Sequence, residues 1–96
     1  MTRTLLFVSG GIEAVPAIAR AKQMGLRVAV SDGAADAPGM RLADERIVAS
    51  TYDVEGTVAA ARRVRLDGVI CVASDVPQTV AGVAALHIGS RPQRSP

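Results

Sequence analysis

Hydrophobic positions along this chain fall into four short runs, each ending in small polar residues and separated by stretches of helical spacing. The first, Thr4 to Val8, shows no alternation and passes straight into Ser9-Gly10-Gly11, the pattern of a central parallel strand covered on both faces. From Ile12 to Met24, Val15, Ile18 and Ala19 recur at helical spacing, with Pro16 in the first turn and Gly25 as a left-handed stop. Val28-Ala29-Val30 is the second strand, closing on Ser31-Asp32-Gly33. An irregular connection follows, with one or two helical turns between Met40 and Asp44. Glu45 to Ala49 alternates, as an outer strand with one wetter face does.

Asp53 is placed to cap a helix whose apolar positions are Val54, Val58, Ala61 and Val64. After Asp67-Gly68, the run Val69 to Ala73 reads as a second central strand, with Cys71 a small buried hydrophobe inside it. A last helix starts at Val76-Pro77-Gln78, with Asp75 and Gln78 at capping-box spacing and Val76, Val80, Val83 and Ala84 on its apolar face. The fold class expected is α/β: a doubly wound, mostly parallel four-stranded, Rossmann-like sheet of order 3-2-1-4 over residues 1–89. Residues 90–96, rich in Arg, Pro and Ser, are expected to be a disordered tail.

This order reverses between the first and fourth strands, and ligands of open α/β sheets bind where that happens, beyond the carboxyl ends of the strands. The candidate substrate-binding residues are therefore Ser9, Gly10, Gly11 and Glu13 on one side of the crevice and Ser74 and Asp75 on the other. Asp32, also a candidate substrate-binding residue, and Asp36 could close its flank. The glycines would let a ligand approach the main chain, and helix N-termini favour anions. Asp32 also lies about 20 residues past the glycines, where dinucleotide-binding folds place an acid for the ribose hydroxyls, although Ser, Asp and Gly are equally ordinary turn residues. Asp75 is either a cap alone or a cap that also touches ligand.

Composition removes several function classes. The net charge of +2 comes from Arg91 and Arg94, and the rest of the chain is neutral, so no basic face for nucleic acid is indicated. With one Phe, one Tyr and no Trp there is little to stack on bases. The triplet Arg62, Arg63 and Arg65 reads as a solvated helix face. A single cysteine excludes an internal disulfide and points to a reducing, cytoplasmic setting. No run approaches the roughly 20 apolar residues of a membrane span, and the first residues do not form a signal peptide. His87 has no companion at metal-ligand spacing. Ser9 to Ala14 fits no Gly-x-Gly-x-x-Gly register, and phosphate-loop and nucleophile-elbow motifs are missing, so no catalytic residue can be named.

Taken together, these motifs resemble the N-terminal, pre-ATP-grasp domain of ATP-grasp carboxylate-amine ligases, the group that includes carbamoyl-phosphate synthase large chains and purine-pathway ligases. The likeness rests on Gly10-Gly11 and Glu13, Ser31-Asp32-Gly33, Ala37-Pro38-Gly39, Leu42-Ala43-Asp44, Thr51-Tyr52-Asp53, and Asp67-Gly68-Val69 leading to Ala73-Ser74-Asp75, in that order from Thr4 to Leu86. It implies a half-Rossmann domain whose turn at Gly10, Gly11 and Glu13, with Asp75 nearby, helps hold a non-nucleotide substrate, a carboxylate or an amine. ATP and Mg²⁺, which activate the carboxylate as an acylphosphate, belong by this likeness to further domains. The chain itself is expected to bind no cofactor and to be a fragment without catalysis of its own. His87-Ile88-Gly89 and the Arg/Pro/Ser stretch after it depart from the family pattern. Two other readings stay open: a nucleotide-binding Rossmann module with Asp32 on the ribose, and an interaction domain that docks on other subunits or on itself.

Overall fold

The computed structural model describes residues 2–72 and 77–90, with 77–78 and 86–90 as backbone only. Strands β1 (Thr4–Val8), β2 (Arg27–Asp32), β3 (Glu45–Val48) and β4 (Gly68–Ile70) form one sheet in the order β3-β2-β1-β4. All three pairings are parallel, with Leu6 opposite Ala29 and Val69, and Ser31 opposite Ile47. Helices α1 (Val15–Gln23), α2 (Val54–Ala61) and α3 (Pro77–Ser90) complete the fold, with 3-10 turns at Ile12–Ala14 and Pro38–Leu42.

The unbroken apolar runs have the cause expected of them. Successive side chains of a strand point to opposite faces, and here both faces are covered. Phe7, Val28 and Val30 pack with Ala14, Ile18, Ala21 and Met40 on the α1 side. Leu6, Val8, Ala29 and Ile47 pack with Ala61, Leu66 and Val83 on the α2 and α3 side. Gly25, at φ +84°, ends the α1 segment in the left-handed region that a side chain resists. Asp53 caps α2, its Oδ1 accepting the Gly56 N–H at 2.9 Å. Thr79 anchors α3 by donating to the Thr51 carbonyl at 2.6 Å.

Three expectations need correction. The fourth run is an outer strand of three residues, and the remainder of the expected strand runs past it or, at Ala73, lies outside the described residues. α3 packs on β4 from one side, but α1 lies over β2, so Ile70 and Val72 are 39% and 43% exposed. Cys71 is only half-buried, packed against the α2 and α3 layer. Finally, α3 continues to Ser90, one residue into the stretch expected to be disordered.

Asp44, just ahead of β3, ties that strand to the layer beneath it. The Val28 N–H reaches its Oδ2 at 2.8 Å, and Lys22 Nζ lies 3.4 Å from Oδ1. The Val28 hydrogen bond, then Lys22 and the charge of Arg27, hold the carboxyl below the usual carboxylate range against a smaller opposing effect of desolvation. A carboxyl with a depressed folded-state pKa stabilises fully above its unfolded value, near pH 4, and loses that contribution as pH falls through the folded value. Urea midpoints measured from pH 6 down to pH 2 should therefore fall with acid more steeply for the wild type than for Asp44→Asn.

Candidate functional site

The chain leaves β1 through a strained turn. Ser9 sits at φ +84°, in the left-handed region that costs a non-glycine residue roughly 1–2 kcal/mol. Its N–H is held by the Ser31 carbonyl at 2.7 Å, and its Oγ accepts the Gly11 N–H at 3.4 Å. Gly11 then opens the 3-10 turn, its carbonyl accepting the Ala14 N–H at 2.9 Å. Glu13 is exposed and folds back, so that a Cβ on Gly11 would first meet its carboxylate, 2.6 Å away at the nearest oxygen.

Gly10 is buried, and its neighbours are protein. A Cβ there would lie 2.8 Å from Val30 Cγ1. Its carbonyl accepts the Gly39 N–H at 2.7 Å, and a Cβ on Gly39 would come within 2.9 Å of Gly10 Cα. The Pro38–Leu42 turn therefore lies directly on the β1 exit. Gly10 is needed for one loop to pack on another, whereas Gly11, Glu13 and the Ser9 hydroxyl form the part of the turn that faces outward.

Asp32 is the brace between the two strand ends. Oδ2 accepts the Gly10 N–H and Oδ1 accepts the Ala34 N–H, each at 2.9 Å. Its carboxylate thus closes a turn of its own loop and fastens β1's exit to β2's. Asp36 is exposed farther along that loop. Next to Asp32, Ser31 is wholly buried, with an Oγ that has no hydrogen-bond partner among the described residues.

β4 runs parallel to β1 with Ile70 opposite Phe7, so its exit opens on the same edge of the sheet as Ser9. Ser74 and Asp75, expected on that side of the crevice, lie outside the described residues. Of the expected residues, Ser9, Gly10, Gly11, Glu13 and Asp32 come together at the β1 and β2 exits. What the sequence reading missed is the role of Gly39 as a roof on Gly10. The Ala37-Pro38-Gly39 string was visible, but its contact partner 29 positions away was not. Chemically, the rim offers a hydroxyl, a carboxylate and main-chain amides, a set suited to holding a polar ligand. Among the described residues no group of three His, Cys, Asp or Glu side chains is placed to hold a metal ion.

No protein-family model matches this chain, and no curated protein matches it by sequence. Solved structures do. Phosphoribosylglycinamide synthetase from Anaerococcus prevotii superposes with a TM-score of 0.79 at 19% identity, over 92% of this chain and 23% of that one. Glycinamide-RNase-transformylase T from Mycobacterium tuberculosis gives 0.76 at 24% identity, over 91% and 24%. N5-carboxyaminoimidazole ribonucleotide synthetase from Thermotoga maritima gives 0.74 at 24%, over 93% and 24%. These neighbours are ATP-grasp ligases. The fold is that of a pre-ATP-grasp domain. It accounts for about a quarter of the length of each neighbour. The pre-ATP-grasp fold thus carries the four-stranded parallel order expected of the sequence.

Proposed function

We propose that this chain is the substrate-side domain of a cytoplasmic ATP-grasp ligase, one that joins a carboxylate to an amine through an acylphosphate. The observation that carries the reading is the coincidence of two features: a fold shared with ATP-grasp ligases, and a polar rim at the sheet's switch point. In this reading Ser9, Gly11 and Glu13 hold the non-nucleotide substrate, helped by Ser74 and Asp75 of the segment that follows β4. Gly10 and Asp32 shape the turn that presents them. ATP and Mg²⁺ are handled by parts corresponding to the remaining length of the neighbours, and the 96 residues alone are a fragment without turnover. A ribose contact through Asp32 is disfavoured because both carboxylate oxygens already accept main-chain N–H groups.

Two of the neighbours are named for ribonucleotide or phosphoribosyl compounds, which makes such a compound the first probe. Amide resonances of the labelled chain, titrated with glycinamide ribonucleotide and with ribose 5-phosphate, should shift at Ser9, Gly11 and Glu13. In parallel, the chain incubated with Mg-ATP and the same compounds should release no ADP. Shifts confined to the opposite end of the sheet would remove the rim from consideration, and sustained ADP release would show that the ATP chemistry resides here after all.

A further inference from the structure

Away from the rim, a groove of about 680 Å³ lies between β3 and α2. It begins at Thr4 and Arg27, where β1 and β2 enter the sheet, and passes all four residues of β3. Its apolar lining residues include Ile47, Ala60, Val64 and Val48, the last 60% exposed.

Four arginines line it: Arg27, Arg46, Arg63 and Arg65. Its two acids are already engaged, Glu45 with Arg27 at 2.8 Å and Asp53 with the Gly56 N–H at 2.9 Å. Arg46 donates its Nε to the Met40 carbonyl at 2.9 Å. Among the described residues, no carboxylate forms an ion pair with Arg63 or Arg65. Beside this uncompensated charge lies an open strand edge. Among the described residues β3 pairs with β2 alone, so its other edge carries main-chain groups that no strand covers. Open edges normally invite another strand, and a row of main-chain donors and acceptors gives affinity while the flanking side chains give selectivity.

We propose that the groove takes an extended acidic segment of a partner protein, which pairs with β3 as a fifth strand and sets its carboxylates against Arg63 and Arg65. The charge decides the partner. Among the described residues a second copy of this chain offers no complementary strand, because β1 and β4 carry no acid, Glu45 of β3 is tied to Arg27, and Asp32 of β2 is tied to Gly10 and Ala34. A compact anion would meet the arginines but leave the edge unused along the roughly 13 Å that four extended residues span. An extended acidic segment satisfies both features at once.

The test is fluorescence anisotropy with the whole chain and a labelled nine-residue peptide of alternating Glu and Val. It should bind, and 300 mM salt should weaken binding several-fold relative to 50 mM. The double variant Arg63→Glu/Arg65→Glu changes two exposed side chains and should keep the wild-type circular dichroism. It should bind at least tenfold more weakly. The same peptide with alternate amides N-methylated should lose at least tenfold, since it keeps the charges but not the pairing. No binding at millimolar peptide, equal binding of a Lys/Val peptide, or equal binding of the N-methylated peptide would overturn the proposal. So would displacement of the peptide by millimolar inorganic phosphate, or a dimer in light scattering that the Arg63→Glu/Arg65→Glu variant abolishes.

Discussion

Gly39→Ala is expected to destabilise the fold by about 3 kcal/mol, the sum of an overpacking cost and a lost hydrogen bond. The added methyl would stand 2.7 Å from Ile18 Cδ1, 2.9 Å from Gly10 Cα and 3.0 Å from the Gly10 oxygen. Ile18 is fully buried and has little room to turn aside. Gly10 cannot withdraw without cost, because its N–H is held by Asp32 and its carbonyl by Gly39. Relief requires the Pro38–Leu42 turn to lift, which breaks the 2.7 Å bond and uncovers Met40, itself 1% exposed. For a domain of this size the melting temperature should drop by about 15 °C. Gly11→Ala is the control. There the nearest atoms to the methyl are those of the Glu13 carboxylate, the far end of an exposed side chain that is free to turn aside, so the change should stay within about 0.5 kcal/mol. Thermal denaturation followed by circular dichroism compares the two, and equal melting temperatures would mean that the two turns do not pack together in solution.

That contrast also marks what can be read from the sequence. Two adjacent glycines after a buried strand suggested a main chain open to a ligand, and for Gly11 the geometry leaves that open. Gly10 is different: a glycine says that a side chain is not tolerated, but not what stands in its place. Here it is another glycine, brought across the sheet by the β2–β3 connection. Sheet order and helix placement were legible because burial on both faces erases alternation, and β1 and β2 carry that mark. The same mark misled for β4. An apolar run shows that residues avoid water somewhere in the assembled structure, and it does not distinguish a central strand from an outer one whose far face is bare. Ile70 and Val72 are such residues. The capping role of Asp53 was legible for a local reason, since donor and acceptor lie three residues apart.

Asp32 separates the two ways an acid can serve at a strand exit. If it braces the turn, Asp32→Ala strands the buried Gly10 N–H and frees the loop at Ala34. Two main-chain bonds to a charged acceptor are lost, so the expected cost is about 2 to 3 kcal/mol. Asp32→Asn keeps one acceptor oxygen and, with its amide turned so that this oxygen faces Gly10, should lose about half as much. If instead Asp32 holds a ribose, stability should barely change in either variant while nucleotide affinity collapses. Urea denaturation and calorimetric titration with NAD and AMP, run on the same three proteins, distinguish the outcomes. The expected result is a graded loss of stability in the order wild type, Asn, Ala, with no wild-type dinucleotide affinity to lose. The carboxylate would then act on the substrate only indirectly, by fixing where Gly10 ends and Gly11 begins. In the Ala variant, resonance shifts at Ser9 and Gly11 with ribose 5-phosphate should weaken in step with the loosened turn.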